Sequence, residues 1–273
     1  MRIADVDTIA VLGDSGLHRI GAPAKLVAFG LVLTAVLVTT NVLLIVALAL
    51  ALIAVVVGQR LPARTLLGFA AYPALFAALF ALATTAGMLG VVLVVGKALC
   101  AALAAVLLTF TTPYPYIFAP VQRGLPALLG DAALMTYRSL FLLLDRMDKT
   151  LTSVRLRAGR PQSFAAGARM VTTALGGTLF YSIDLSQRTY DVMRLRGYEG
   201  RLAVAPQPRG PLSTRVATVA IAAVLLGVSV LWRVEWARLN PISWLPVLIA
   251  ALVLLGAVAA RVTRTIRTWK ERS

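Results

Sequence analysis

Long apolar runs with almost no charge constrain this chain more than any other feature of its sequence. The runs form three pairs: residues 25–40 with 42–57, residues 65–84 with 87–109, and residues 214–232 with 242–260. A helix of about 20 apolar residues crosses the roughly 30 Å hydrocarbon core of a bilayer. Since 59% of the residues are apolar and 14% are charged, the sequence predicts an all-α, polytopic membrane helix bundle with about six spans.

Two further segments contain apolar runs that are interrupted by charge. Residues 125–144 include Asp131 and Arg138, and residues 165–183 include Arg169. Each charge at the centre of a span costs about 2.5–3.5 kcal/mol to insert. We therefore predict six spans, with eight as the alternative if both segments cross the membrane.

Lysine and arginine collect on one side of the predicted spans. Two arginines lie between the second and third spans and five basic residues follow the last, whereas the turns at residues 39–41 and 84–87 carry no charge. Cytoplasmic loops are enriched in basic residues. The pattern predicts a multi-pass protein of the cell membrane with both termini in the cytoplasm. The loop that contains Arg233 and Arg238 is the exception to it.

These patterns divide the chain into five predicted regions. They are a cytoplasmic N-terminal segment (residues 1–24), a four-helix transmembrane bundle (25–110), a cytoplasmic or interfacial region of amphipathic coupling helices (111–212), a C-terminal transmembrane helix pair (213–260) and a basic cytoplasmic tail (261–273). The tail is typical of a basic anchor beside the lipid bilayer.

The region between the spans is basic and amphipathic. Residues 123–215 hold 14 Lys and Arg against 6 Asp and Glu, and apolar residues recur at helical spacing between 140 and 151. Two arginine-rich motifs stand out, Arg155-Leu-Arg-Ala-Gly-Arg160 and Met193-Arg-Leu-Arg-Gly-Tyr198. A glycine here ends the helix in a left-handed turn and leaves arginine in the last helical turn, where a cation suits the helix dipole.

Such motifs suit a contact with an acidic groove, because the arginine fork pairs bidentately with carboxylates. The alternative for either motif alone is a helix end with a solvated arginine. The net charge of +16 does not by itself separate nucleic acid, anionic lipid and protein partners. Because the arginines are spread through amphipathic helices, we predict that the two motifs dock on a dimeric protein partner and that nucleic acid is not a partner.

Several chemistries are missing from the sequence. The chain has one histidine and one cysteine, so we predict no metal site, and we interpret His18 as a surface residue and Cys100 as a small buried apolar side chain. The segment from Gly90 to Ala98 has glycine spacing unlike a phosphate loop, has Ala98 in place of the usual Ser or Thr, and lies inside an apolar run. We predict that the chain is not an enzyme.

Lys97 is the one basic residue inside the first four predicted spans away from their ends. An ionisable group in a span is costly and often marks a contact or a pathway. Two interpretations stay open, namely a structural pair or carbonyl contact within the bundle, and a contact with another subunit or a role in transport. Asp131 and Asp184 are the candidate acidic partners.

Six motifs in order make the chain resemble a known family. They are Gly16-Leu-His-Arg-Ile-Gly-Ala-Pro-Ala-Lys-Leu26, Thr111-Thr112-Pro113, Thr136-Tyr137-Arg138, Leu156-Arg-Ala-Gly-Arg160, Ala174-Leu-Gly-Gly-Thr-Leu-Phe180 and Val192-Met-Arg-Leu-Arg-Gly-Tyr198. Over residues 16–200 the chain resembles the transmembrane T component of energy-coupling factor (ECF) transporters, in the cobalt and nickel branch of CbiQ-like proteins. The C-terminal helix pair is not matched to the family, and its role is open.

The resemblance implies an ATP-driven importer in which this chain is a non-catalytic subunit. Two ABC-type ATPases would use ATP and bind the T component, and a separate S or CbiM-like membrane subunit would capture cobalt or nickel. The chain itself would bind no cofactor and no metal. The alternatives are a T component that serves vitamin-binding S components and a self-contained membrane transporter.

The resemblance also assigns the docking residues. Arg157 and Arg196 match the signature arginines of the family, and Gly159 and Gly197 match the turn residues. The neighbouring coupling residues are Arg160 and Arg194. Two departures from the family pattern are Leu195 in place of the usual alanine and an extra residue between Arg157 and Gly159. Arg155 and Arg160 are therefore alternatives to Arg157 as the first signature arginine.

Overall fold

The structure, a computed structural model, describes residues 13, 15–59, 61–84, 87–121, 126–159, 163–198, 202 and 210–270. In these residues it has ten α-helices and one short 3-10 helix, and no strand. The helices are α1 (Ala22–Val38), α2 (Val42–Gly58), α3 (Ala63–Thr84), α4 (Met88–Thr111), α5 (Tyr114–Val121), α6 (Ala127–Ala158), α7 (Phe164–Leu195), α8 (Leu212–Val234), α9 (Trp236–Leu239) and α10 (Trp244–Lys270), with the 3-10 helix at Asn240–Ile242. The predicted all-α membrane bundle is confirmed.

Four segments are long and apolar enough to cross a membrane. They are Ala63–Thr84, Met88–Thr111, Leu212–Val234 and Asn240–Thr263. The first two helices are apolar but have only 17 residues each, about 26 Å at roughly 1.5 Å per residue. Helices α6 and α7, which include residues 127–144 and 165–183 of the eight-span alternative, are not among the four.

The predicted turn between the first two spans is confirmed. Helix α1 ends at Val38 and α2 begins at Val42. The Asn41 side chain accepts a hydrogen bond from the backbone N–H of Leu43 at 2.9 Å. This bond satisfies one of the free donors at the start of α2.

The described chain forms two compact units, Met1–Pro113 with Pro206–Ser273, and Tyr114–Ala205. In the first unit α4 packs against α1, α2 and α3. Gly96 of α4 permits a close approach, because an added Cβ would lie 2.5 Å from Cγ2 of Ile45 in α2. Fully buried side chains of this core include Ile45, Leu66 and Leu103.

The C-terminal helix pair packs on the N-terminal pair, with α8 along α1 and α10 along α2. At one end Gly210 N donates a hydrogen bond to Arg19 O at 3.0 Å. At the other end Arg233 Nη1 donates to Val38 O at 3.0 Å, and Asn41 Nδ2 donates to Asn240 Oδ1 at 3.1 Å. Hydrogen bonds at both ends therefore fix the register of the two pairs.

The second unit contains α5, α6 and α7. Helices α6 and α7 have 32 residues each, about 48 Å at roughly 1.5 Å per residue. Arg146 lies over the ring of Tyr181 at 5.0 Å from its centroid, and Asp131 near the start of α6 contacts Tyr198 just after α7. Because contacts near the start of α6 involve the end of α7, the two helices pack antiparallel.

Candidate functional site

The first arginine-rich motif lies at the C-terminal end of α6, and we call residues 155–159 the first tip. The helix ends at Ala158, and Gly159 follows with a φ of +71°. The side chains of Arg155, Leu156 and Arg157 are exposed. Arg160 lies outside the described residues, so its assignment stays a prediction.

The second motif ends α7, and we call residues 194–197 the second tip. Gly197 has a φ of +69°, as the sequence predicts for a helix that ends in a left-handed turn. The turn is closed by two hydrogen bonds, from Tyr198 N to Met193 O and from Gly197 N to Arg194 O, both at 3.1 Å. This is the Schellman arrangement, which satisfies carbonyls that the helix end would leave free.

The two tips present the same tripeptide, Arg-Leu-Arg, to solvent. Leu156 is 82% exposed and Leu195 is 88% exposed. The side chain of Arg196 has no hydrogen-bond or ion-pair partner among the described residues, whereas Arg194 lies over the ring of Tyr190 at 5.8 Å from its centroid. Each tip is thus an exposed leucine between two cations, a surface that suits a partner with an apolar pocket and an acidic rim.

The antiparallel packing of α6 and α7 puts the two tips at opposite ends of the helix pair. Tyr198, which follows the second tip, contacts Asp131 near the start of α6. From Asp131 to Gly159 the helix rises about 40 Å at roughly 1.5 Å per residue. The structure therefore separates the two tips by about 40 Å.

A buried carboxylate holds the chain that follows the second tip. Asp131, 4% exposed, accepts a hydrogen bond from the Tyr198 hydroxyl at 2.5 Å and bonds from Leu202 N at 3.0 and 3.1 Å. The hydrogen bond to Asp131, with some desolvation and the carboxylate charge, raises the pKa of Tyr198. We call Asp131, Tyr198 and Leu202 the Asp131 clasp.

Sequence reasoning missed this clasp and treated Asp131 as a partner for Lys97. A tyrosine directly after the glycine of the second tip was the available signal, because a phenol near a helix end often bonds a polar group. The two residues are 67 positions apart, and no periodicity links them.

Lys97 contacts a backbone carbonyl. Its Nζ donates to Leu37 O at 3.2 Å, next to the bond from Arg233 to Val38 O. Two cations thus bind carbonyls at the C-terminal end of α1, where the helix dipole favours positive charge. The structure thus contains the carbonyl contact of the first interpretation, and a subunit contact or a role in transport stays a prediction. The other proposed partner, Asp184, pairs with Arg188 one turn along α7 at 3.0 Å.

The interpretation of His18 as a surface residue is wrong. Its Nε2 lies 3.1 Å from Phe110 O and its Nδ1 lies 2.6 Å from Ser15 Oγ. A carbonyl only accepts, so Nε2 carries the proton and Nδ1 accepts from the serine. The side chain is half-buried and satisfies a carbonyl at the end of α4.

Lys25 binds the same end of α4. It is 5% exposed, and its Nζ donates to Thr111 O at 2.6 Å and to Thr112 Oγ1 at 3.0 Å. Two of the motifs that carry the family resemblance, at residues 16–26 and 111–113, therefore contact each other.

No three His, Cys, Asp or Glu side chains of the described ranges come together in a way that could hold a metal ion. Cys100 is fully buried in the core of the first unit.

A protein-family model matches most of the chain. The model of the CbiQ family, described as cobalt transport protein, matches residues 13–208. The matched range contains α1 to α7 and both tips, and it stops before α8. No curated protein matches the chain.

Proposed function

The chain belongs to the CbiQ family of cobalt transport proteins, and from this membership we propose that it is the energy-coupling transmembrane subunit of an ECF-type ABC importer. It is a membrane component of a cobalt transport system. The finer proposal is that two cytoplasmic ABC-type ATPases bind its two tips. A separate membrane subunit then captures the substrate, which is cobalt or nickel.

The observation that carries this proposal is the pair of matched tips. Two helices of 32 residues each end in the same exposed Arg-Leu-Arg and in a glycine with positive φ. Each helix end carries a cation that the helix dipole favours and that is free to pair with a carboxylate. One such end occurs often in proteins, but two equal ends on one packed helix pair suit a partner with two equivalent sockets.

The exposed leucines favour a tip that docks on a partner protein over a helix end that stays in solvent. Burying a leucine side chain contributes about 1.5–3 kcal/mol relative to leaving it in water. At each tip the guanidinium groups on both sides would meet an acidic rim. This combination of an apolar centre and charged surroundings is typical of energetically important contacts in protein interfaces.

The proposal assigns the chemistry to other subunits. The ATPases use ATP, and this chain binds no cofactor and is not itself an enzyme. Both termini and both tips lie on the cytoplasmic side, where the ATPases are. Family membership favours metal over vitamins as the substrate class, and the capture subunit that accompanies the chain would decide between them.

The test is charge reversal at the second tip. Arg196→Glu should release the ATPases during purification in mild detergent and abolish cobalt uptake by cells, because it places like charge against an acidic socket. Membrane insertion should be unchanged, since an exposed helix end contributes little to folding. Mass spectrometry of the co-purified proteins reports which ATPases and which capture subunit are present.

The matched control is Arg188→Glu, which makes the same charge change two turns earlier on α7. Its guanidinium pairs with Asp184 on the helix surface, and an exposed pair of this kind contributes only about 0.3–0.5 kcal/mol. We expect near-normal uptake in the control. Normal uptake and normal ATPase recovery in Arg196→Glu would overturn the proposed coupling role.

A further inference from the structure

We propose that Asp131 is a positioning residue that ties the second tip to the start of α6, so that a load on Arg196 reaches both helices of the pair. The inference rests on the proposed function, because it concerns how the docked tip transmits movement.

The clasp lies close to the second tip. Tyr198 is two residues after Arg196, so the two Cα atoms are at most about 7 Å apart. The Tyr198 hydroxyl and Leu202 N both donate to the Asp131 carboxylate. The chain is therefore held on the α6 side immediately after it leaves the tip.

The backbone between the second tip and the clasp contains a glycine. Gly197 lies between Arg196 and Tyr198 and has a φ of +69°. Glycine has the widest range of backbone conformations of any residue, so without a second attachment the chain could swing at this position. The Schellman bonds fix the turn from the α7 side, and the clasp fixes it from the α6 side.

The clasp is held by hydrogen bonds to a buried carboxylate. Asp131 is 4% exposed. Burying a carboxylate costs free energy unless hydrogen-bond donors satisfy its oxygens, as Tyr198 and Leu202 do here. A hydrogen bond to an ionised acceptor is roughly twice as strong as a neutral one. The hydrogen bond to Asp131 is also the first cause of the raised pKa of Tyr198, which favours the protonated phenol that donates this bond.

The predicted consequence is a loss of coupling with no loss of docking. When the clasp is broken, the ATPases still find Arg196 and its neighbours at the surface. Their movement then turns the chain at Gly197, and less of it reaches α6. ATP hydrolysis continues while transport per ATP falls.

The variant that tests this is Tyr198→Phe, which removes one hydroxyl and keeps the ring. In the complete transporter reconstituted in liposomes, we expect normal ATPase recovery and at least about a fivefold fall in cobalt transported per ATP hydrolysed, because the lost bond is to a charged group. Tyr181→Phe is the matched control, a tyrosine of α7 whose ring lies under Arg146, and it should keep the parent ratio. Asp131→Asn should behave like Tyr198→Phe.

A second measurement does not depend on activity. Nitroxide labels at Leu156→Cys and Leu195→Cys in the full chain report the distance between the tips by pulsed electron paramagnetic resonance, and the native Cys100 is buried and unreactive. We expect a narrow distribution near 40 Å in the parent, from the helix rise, and a broadened one in Tyr198→Phe. An unchanged distribution together with an unchanged transport ratio would overturn the role of Asp131.

The two proposals fail separately. If Arg196→Glu keeps its ATPases, the proposed function is wrong, yet the distance distribution still judges the clasp. If Arg196→Glu loses them while Tyr198→Phe matches the parent in both measurements, only the clasp is wrong.

Discussion

Glycine at position 197 is required by backbone geometry, and this requirement can be tested by substitution. Its φ of +69° is rarely adopted by other residues, although no atom lies within 4 Å of where a Cβ would be. The strain in a variant would therefore come from the backbone alone, about 1–2 kcal/mol. We expect Gly197→Val to reduce cobalt uptake and ATPase co-purification together, because the second tip changes direction.

Gly197→Asn is the control for this prediction. Asparagine tolerates the left-handed region better than other residues with a side chain, so uptake should stay close to that of the parent. Equal uptake in the valine and asparagine variants would show that the conformation at this residue is unimportant for docking.

Helix α3 buries one stripe of residues along its length, and this stripe is the face that packs against α4. Its buried positions are Leu66, Ala70, Ala74 and Ala81, and α3 packs against α4. Small residues let two helices approach closely in a membrane, where packing rather than water exclusion drives association.

The stripe predicts a sharp contrast between two adjacent alanines of α3. Ala70 is fully buried and Ala71 is exposed. Ala70→Leu should destabilise the bundle by about 1–3 kcal/mol through overpacking, which lowers the thermal unfolding midpoint of the detergent-solubilised protein. Ala71→Leu should leave the midpoint almost unchanged. Equal midpoints for the two variants would contradict the observed helix face.

The elements could largely be predicted from the sequence, whereas their contacts could not. Apolar length and the uncharged turn at residues 39–41 predicted the first helices, and the glycines predicted where α6 and α7 end. The same reasoning ended the last predicted transmembrane span at residue 260, because charged residues leave the apolar core, and it did not predict where the helix itself ends. The structure continues α10 to Lys270, since helices do not need an apolar environment to persist.

Contacts between distant residues carried no periodic signal. Lys25 reaches Thr111 and Asp131 reaches Tyr198 across 86 and 67 positions. Both are polar contacts that depend on how the helices pack, and the residue pattern of one segment does not specify its packing against another. For the same reason the tips could be predicted one by one, but not their separation along an antiparallel pair.

The C-terminal helix pair is part of the first unit although the family match ends at residue 208. Asn41 and Asn240 join the two helix pairs at one end. The unit should therefore move as one body during transport, since packed cores deform little.

A reversible cross-link tests this rigidity. Asn41→Cys with Asn240→Cys, joined by a short bifunctional methanethiosulfonate reagent, should support cobalt uptake at the rate of the unlinked protein, because the two turns need not separate. Adding a reductant provides the control within the same sample. Uptake that is lost on linking and regained on reduction would show that the C-terminal pair moves relative to α1 and α2.

The separation of the two tips has a mechanical consequence. A rod of two packed helices does not shorten when it is loaded at its ends, so partners that hold both ends and approach one another must turn it. A turn of about 10° displaces each end of a 40 Å rod by about 3.5 Å, in opposite directions. A neighbour packed at the middle of the rod would then stay almost still, whereas a neighbour near either end would travel with it.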